Sequence, residues 1–206
     1  MYKRQLFRRC KPYIEYLELE DLWSQLKFNQ KRDFERYERG KFGGLSGVAS
    51  KLDYTSCTPM QYIMGKMAWA ESEKNWSLFD VLLDYGNQIH CSQVDRHYFL
   101  QYASEAFYSR RHVSSKELPM SLKYALRDID LFPRYCAPLK KEFHGELPRI
   151  QTFKRACIIY ESMGEIEKAI SICELAIKYE LIDNTKMGYS GRLEKLKQKL
   201  KKQESL

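Results

Sequence analysis

Hydrophobic positions recur along this chain at intervals of three and four residues, and no stretch alternates with the period of two that a half-buried strand requires. The pattern predicts an all-α protein. Leu19, Leu22, Trp23 and Leu26, then Phe34 and Tyr37 among alternating charges, predict one long helix or two broken ones in the first forty residues. Residues 40–57 hold Gly40, Gly43, Gly44 and Gly47 and no apolar period, which predicts a connector. The domain boundary is placed there, with an N-terminal helical segment and Gly-rich connector at 1–50 and a helical domain at 51–206.

Within that second part, Thr58-Pro59-Met60-Gln61 has the form of a capping box with Pro at the first helical position, so a helix is expected to begin at Pro59. Met60, Ile63, Met64, Met67 and Ala68 give it an apolar face. Trp76, Phe79, Leu82 and Leu83 give a second helix, expected to stop at Gly86-Asn87. A further hairpin starts near Ser92 and Asp95, runs through Phe99, Ala103, Ala106 and Phe107, and returns from Pro119 through Leu122, Ala125, Leu126 and Ile129. Pro133 is expected to end it and Pro138 to start a short helix, since proline lacks the amide hydrogen a helix interior needs. Ser190 is placed as the cap of a last helix, in which Leu193, Leu196 and Leu200 form a narrow stripe among lysines.

Residues 150–183 carry the most informative pattern. Phe153 holds a large aromatic position, Ala156 and Cys157 a paired apolar and small position, and Tyr160 the end of the first helix. Gly164 falls in the turn, Ile166 follows it, and Ala169 stands where two helices would cross most closely, with Cys173, Ala176 and Ile177 beyond. This spacing resembles a tetratricopeptide repeat, a helix–turn–helix unit of roughly 34 residues. Departures are the Phe at the usual Trp position, Ala at Leu, Cys at Gly, and Leu181 where Pro is usual. The earlier hairpins resemble the repeat in outline only, residues 58–87 with a shifted turn and 94–133 with a longer one. The resemblance implies a right-handed solenoid of antiparallel helix pairs, closed by the basic last helix as a solvated cap. It also implies that Gln151, Lys154, Ile158 and Glu161 share the face of the first helix turned toward a groove.

Composition adds charge and a search for chemistry. The chain has 206 residues, 35 Lys and Arg against 27 Asp and Glu, and a formal net charge of +8. The excess sits at residues 1–11 and 186–206, which leaves a near-neutral body. No run reaches the roughly 18 apolar residues of a membrane span, and no apolar segment follows the basic N-terminus as in a secretory leader. Cys10, Cys57, Cys91, Cys136, Cys157 and Cys173 contain no C-x-x-C pair, which fits reduced thiols in a cytoplasm.

Gly43-Gly44-Leu45-Ser46-Gly47 lacks the Lys and Ser/Thr of a phosphate loop, and Val48 stands where a nucleophile elbow needs its last Gly. The stretch from Lys186 to Arg192 reads as a turn and a cap. His90, Cys91 and His97 lack the paired spacing of a metal site, and His112 and His144 have no nucleophile or carboxylate beside them in sequence. The aromatics at helical spacing read as core. The expectation is therefore a non-enzymatic interaction module with no cofactor and no metal, holding a peptide or partner helix through Gln151, Lys154, Ile158 and Glu161. The competing expectation is a nucleic-acid-binding protein that uses its two basic ends, with affinity that falls steeply in salt.

Overall fold

The computed structural model describes residues 12–41 and 56–204, and all regular structure among them is helical. The basic residues 1–11 and most of the Gly-rich connector, 42–55, lie outside the described residues. None of the described helices is long and apolar enough to cross a membrane. The chain forms two compact units, one through Cys91 and one from Ser92.

The first unit holds α1 (Pro12–Tyr16), α2 (Glu20–Gln25), α3 (Phe28–Lys41), α4 (Pro59–Ser72) and α5 (Trp76–Gln88). Where one long helix or two broken ones are expected, the chain forms three, of 5, 6 and 14 residues, because Glu18 takes a left-handed φ of 54° and Leu26 is extended. The capping box at Thr58 forms in full, its hydroxyl accepting the Gln61 amide and the Gln61 side chain accepting the Thr58 amide. Helix α4 packs on α5, and α3 touches both. Gln30 of α3 donates to the carbonyl and hydroxyl of Ser77, and the buried Lys66 ammonium donates to the Phe34 carbonyl at 2.9 Å. Gly86 is buried inside α5, which continues to Gln88, so this glycine is a packing position and not the predicted stop.

The second unit holds α6 (Gln93–Ser109), α7 (Glu117–Glu142), α8 (Gln151–Ser162), α9 (Ile166–Lys178) and α10 (Gly188–Glu204). Each packs on the next, and α6 also touches α8. Ser92 caps α6 as expected, its hydroxyl accepting the Asp95 amide. The prediction fails at Pro133 and Pro138, since α7 runs through both without a break into two helices. Both prolines sit on its exposed face, while Phe132, Tyr135 and Leu139 are buried on the other. Burying each of those side chains is worth about 1.5–3 kcal/mol, a gain comparable to the cost of about 3 kcal/mol for each proline inside a helix. Ser190 is likewise not a cap. Helix α10 begins at Gly188, where a φ of +58° turns the chain, and Ser190 lies inside it.

The α4–α5 and α8–α9 hairpins match at a constant offset along the chain. Lys74 and Gly164 occupy the left-handed turn position with φ of 56° and 78°. The following amides, of Asn75 and Glu165, donate to the carbonyls of Ala70 and Tyr160 at 2.7 and 2.9 Å. Ser72 and Ser162 each return a hydroxyl to the carbonyl three residues back. The turn of the 58–87 hairpin is therefore not shifted. The sequence conceals the match because Lys74 stands where the other hairpin has glycine.

Candidate binding face of the second unit

Small residues set the helix spacing on which this face is built. Ser104 of α6 and Ser121 of α7 are fully buried and exchange hydroxyl-to-carbonyl bonds of 3.0 and 2.8 Å. Between α8 and α9, Cys157 and Ala169 are fully buried, and the thiol points at the Ala169 carbonyl at 3.7 Å. Between the pairs, Phe132 of α7 meets Phe153 of α8 edge to face, with ring centroids 5.5 Å apart.

A buried carboxylate ties α6, α7 and α8 together. Asp128 is wholly inaccessible, and its Oδ1 lies 2.8 Å from His97 Nδ1. Its Oδ2 accepts from Thr152 Oγ1 at 2.6 Å and from the Tyr135 hydroxyl at 3.3 Å. The His97 ring stacks on Tyr135 with centroids 4.1 Å apart. Burial, with Asp128 beside it, pushes the Tyr135 hydroxyl far above its ordinary range, so it remains a donor. Spacing did not bring these residues forward as a group. A signal was present: Asp128 falls in the same helical stripe as Leu122, Ala125, Ile129 and Phe132, and an acid in an apolar stripe demands buried donors.

Above this hub, α6 and α8 present a polar face. Gln101 Oε1 accepts the backbone amide of Gln151 at 3.1 Å, in place of the missing side-chain cap of α8. Arg155 pairs with Glu105, and its guanidinium lies 4.6 Å from the Tyr108 ring centroid, with Arg111 4.4 Å from that ring. Burial draws the Arg155 pKa below its usual value while Glu105 opposes the shift.

The four residues predicted to line a groove are all half-buried on α8. Three are engaged within the chain. Gln151 is held through its amide, Lys154 reaches the Asp183 carbonyl at 3.4 Å, and Glu161 pairs with Lys199 of α10. Ile158 is the apolar member. Asp183 itself is 1% exposed, and both the amide and the hydroxyl of Thr185 donate to its Oδ1. Burial raises its pKa, but those bonds together with Lys154 and Arg192 outweigh it and hold the carboxyl below its ordinary value.

The remaining candidates disperse. His97 turns to Asp128, while His90, His112 and His144 are exposed. Among the described residues no three His, Cys, Asp or Glu side chains converge as a metal set.

These features define a class no finer than an all-helical protein built of sequentially packed helices. No family model matches the chain, and no solved structure matches it. It is similar to an uncharacterized protein of Aquifex aeolicus (strain VF5), 37% identical over 86 residues that make up 42% of this chain and 41% of that protein. The match thus spans less than half of that relative's length.

Proposed function

We propose that the chain is a cytoplasmic, non-enzymatic interaction module or adaptor, whose second unit is a right-handed solenoid of antiparallel, tetratricopeptide-like helix pairs with the basic α10 as its cap. In this reading α6 and α8 are the first helices of successive pairs and form the concave side, where a peptide or partner helix lies across Gln151, Lys154, Ile158 and Glu161. The observation that carries it is the packing order: α6 and α8 each lie against their own return helix and also touch one another. The shared turn geometry of α4–α5 and α8–α9 supports the same unit.

The internal bonds of Lys154 and Glu161 do not oppose binding. Lys199 is more than half exposed, and exposed ion pairs are worth about 0–1 kcal/mol, so a partner can replace that pair at little cost, while the Lys154 bond is long at 3.4 Å. Selection of a random peptide library on the full chain tests the reading. Enriched peptides are expected to bind in a fluorescence-anisotropy titration and to lose at least tenfold in affinity when Lys154→Glu and Glu161→Lys are combined, with helicity unchanged. Failure to enrich any peptide, or binding that ignores both substitutions, overturns it.

A second reading, nucleic-acid binding through the basic ends, draws on α10, where Lys195 and Lys202 are exposed beside Lys197 and Lys199, which pair with Glu174 and Glu161. A labelled DNA and RNA titration across salt discriminates. Affinity that survives physiological salt favours this reading, and loss well below it marks nonspecific attraction.

A further inference from the structure

Cys157 of α8 and Cys173 of α9 lie face to face in the second unit, both at 0% exposure, with their sulfur atoms 3.3 Å apart. That is inside the ordinary contact distance of two sulfurs. The surrounding small residues hold the helices close: Ala156, Ala169 and Ala176 are all at 0% exposure, and the Cys157 thiol also reaches the Ala169 carbonyl. A disulfide needs a sulfur separation of about 2.04 Å, so closing this gap asks for little more than about 1 Å of side-chain rotation and helix approach.

We propose that Cys157 and Cys173 are an oxidative modification site, at which hydrogen peroxide joins α8 to α9 through a reversible disulfide. Either sulfur can attack first, since either thiol can donate across the contact; with Cys173 as the nucleophile, Cys157 is the resolving thiol. The thiolate attacks one peroxide oxygen, the O–O bond breaks, and hydroxide leaves with the released proton as water, producing a sulfenic acid at Cys173. Cys157 then attacks that sulfur, the S–O bond breaks, and a second water departs. Two thiols and one peroxide become one disulfide and two waters.

The surroundings suit this sequence. The Tyr189 hydroxyl and Arg192 Nε are buried without a hydrogen-bond partner, and both residues interact electrostatically with the sulfur pair. Because neither sulfur is exposed, peroxide enters through local opening, and the reaction is expected to be slower than that of the exposed Cys57.

The test uses the full reduced chain under native conditions. It is treated with millimolar peroxide, denatured, alkylated, and digested with trypsin, which cuts after Arg155, Lys168 and Lys178 and so separates the two cysteines. The expected product is a dithiothreitol-sensitive species joining the peptide that carries Cys157 to the one that carries Cys173. A rise of roughly 5–10 °C in the melting temperature should accompany it, since the bond closes a short loop. Recovery of both residues as free thiols after an exposure at least about a hundredfold longer than Cys57 needs for oxidation, with the chain still folded, overturns the proposal. So does linkage of either one to other cysteines in comparable yield. The mapping is made on the unaltered chain, so it does not depend on whether Cys157→Ser or Cys173→Ser variants fold.

Discussion

Asp128 is the residue whose removal the second unit should tolerate least. Replacing it by Ala withdraws the acceptor from three buried groups at once, His97 Nδ1, Thr152 Oγ1 and the Tyr135 hydroxyl. A buried polar group left without its partner costs about 1–3 kcal/mol, and breaking one side of a buried charged network costs about 3–5 kcal/mol in total. Asp128→Ala is therefore expected to lower the stability of the second unit by about 4 kcal/mol. Asp128→Asn should cost less, about 1–2 kcal/mol, because the amide oxygen can stay with Thr152 and Tyr135 while its NH2 meets a histidine ring able to change tautomer. Urea unfolding followed by far-UV circular dichroism measures both. Tryptophan emission locates the loss, since Trp23, Trp69 and Trp76 all belong to the first unit. The sharper test is a double-mutant cycle. Thr152→Val should cost about 1 kcal/mol in the unaltered chain and nothing, or even stabilise, beside Asp128→Ala, where the hydroxyl has already lost its acceptor. An Asp128→Ala cost under about 1 kcal/mol, or equal Thr152→Val costs in both backgrounds, would refute the view that this network holds α6, α7 and α8 in place.

Lys74→Gly should stabilise the first unit by about 0.5–1 kcal/mol, because Lys74 is exposed and held at a φ of 56° where its matched position has glycine; a loss in thermal melts would show that the lysine makes a needed contact. Tyr189→Phe should be neutral or stabilising by about 1 kcal/mol, since its buried hydroxyl has no partner, and a clear loss would place an ordered water there. The lowered pKa of Asp183 favours its charged form in the folded chain, so its contribution is complete above the ordinary value of 3.8 and is lost as pH falls through the lower folded value. Melting temperatures taken down the acid limb should therefore fall less steeply for Asp183→Asn, and identical slopes would contradict the assignment.

The helices were legible where local chemistry and burial agree. The capping box at Thr58, the Ser92 cap and the apolar face through Ala156, Cys157 and Tyr160 all follow from side chains acting within one or two turns of their own position. The reading broke where distant packing overrode local preference. Pro133 and Pro138 stay helical because their neighbours Phe132, Tyr135 and Leu139 are held in the core, and Lys74 is left-handed because the hairpin closes around it. The same limit applies to the candidate face. Helical spacing places Gln151, Lys154, Ile158 and Glu161 on one side of α8, but it cannot show that Gln101, Asp183 and Lys199 come back from elsewhere in the chain to meet them. That return changes what the face can do. Lys154 and Glu161 are not free charges waiting for a partner but ends of weak internal contacts, and Ile158 between them has no charge to exchange. In the proposed groove a partner would therefore gain most by covering Ile158 while offering Lys154 an acidic group in place of the Asp183 carbonyl and Glu161 a basic group in place of Lys199, which predicts a ligand that is apolar at its centre and carries an acidic and a basic group on either side.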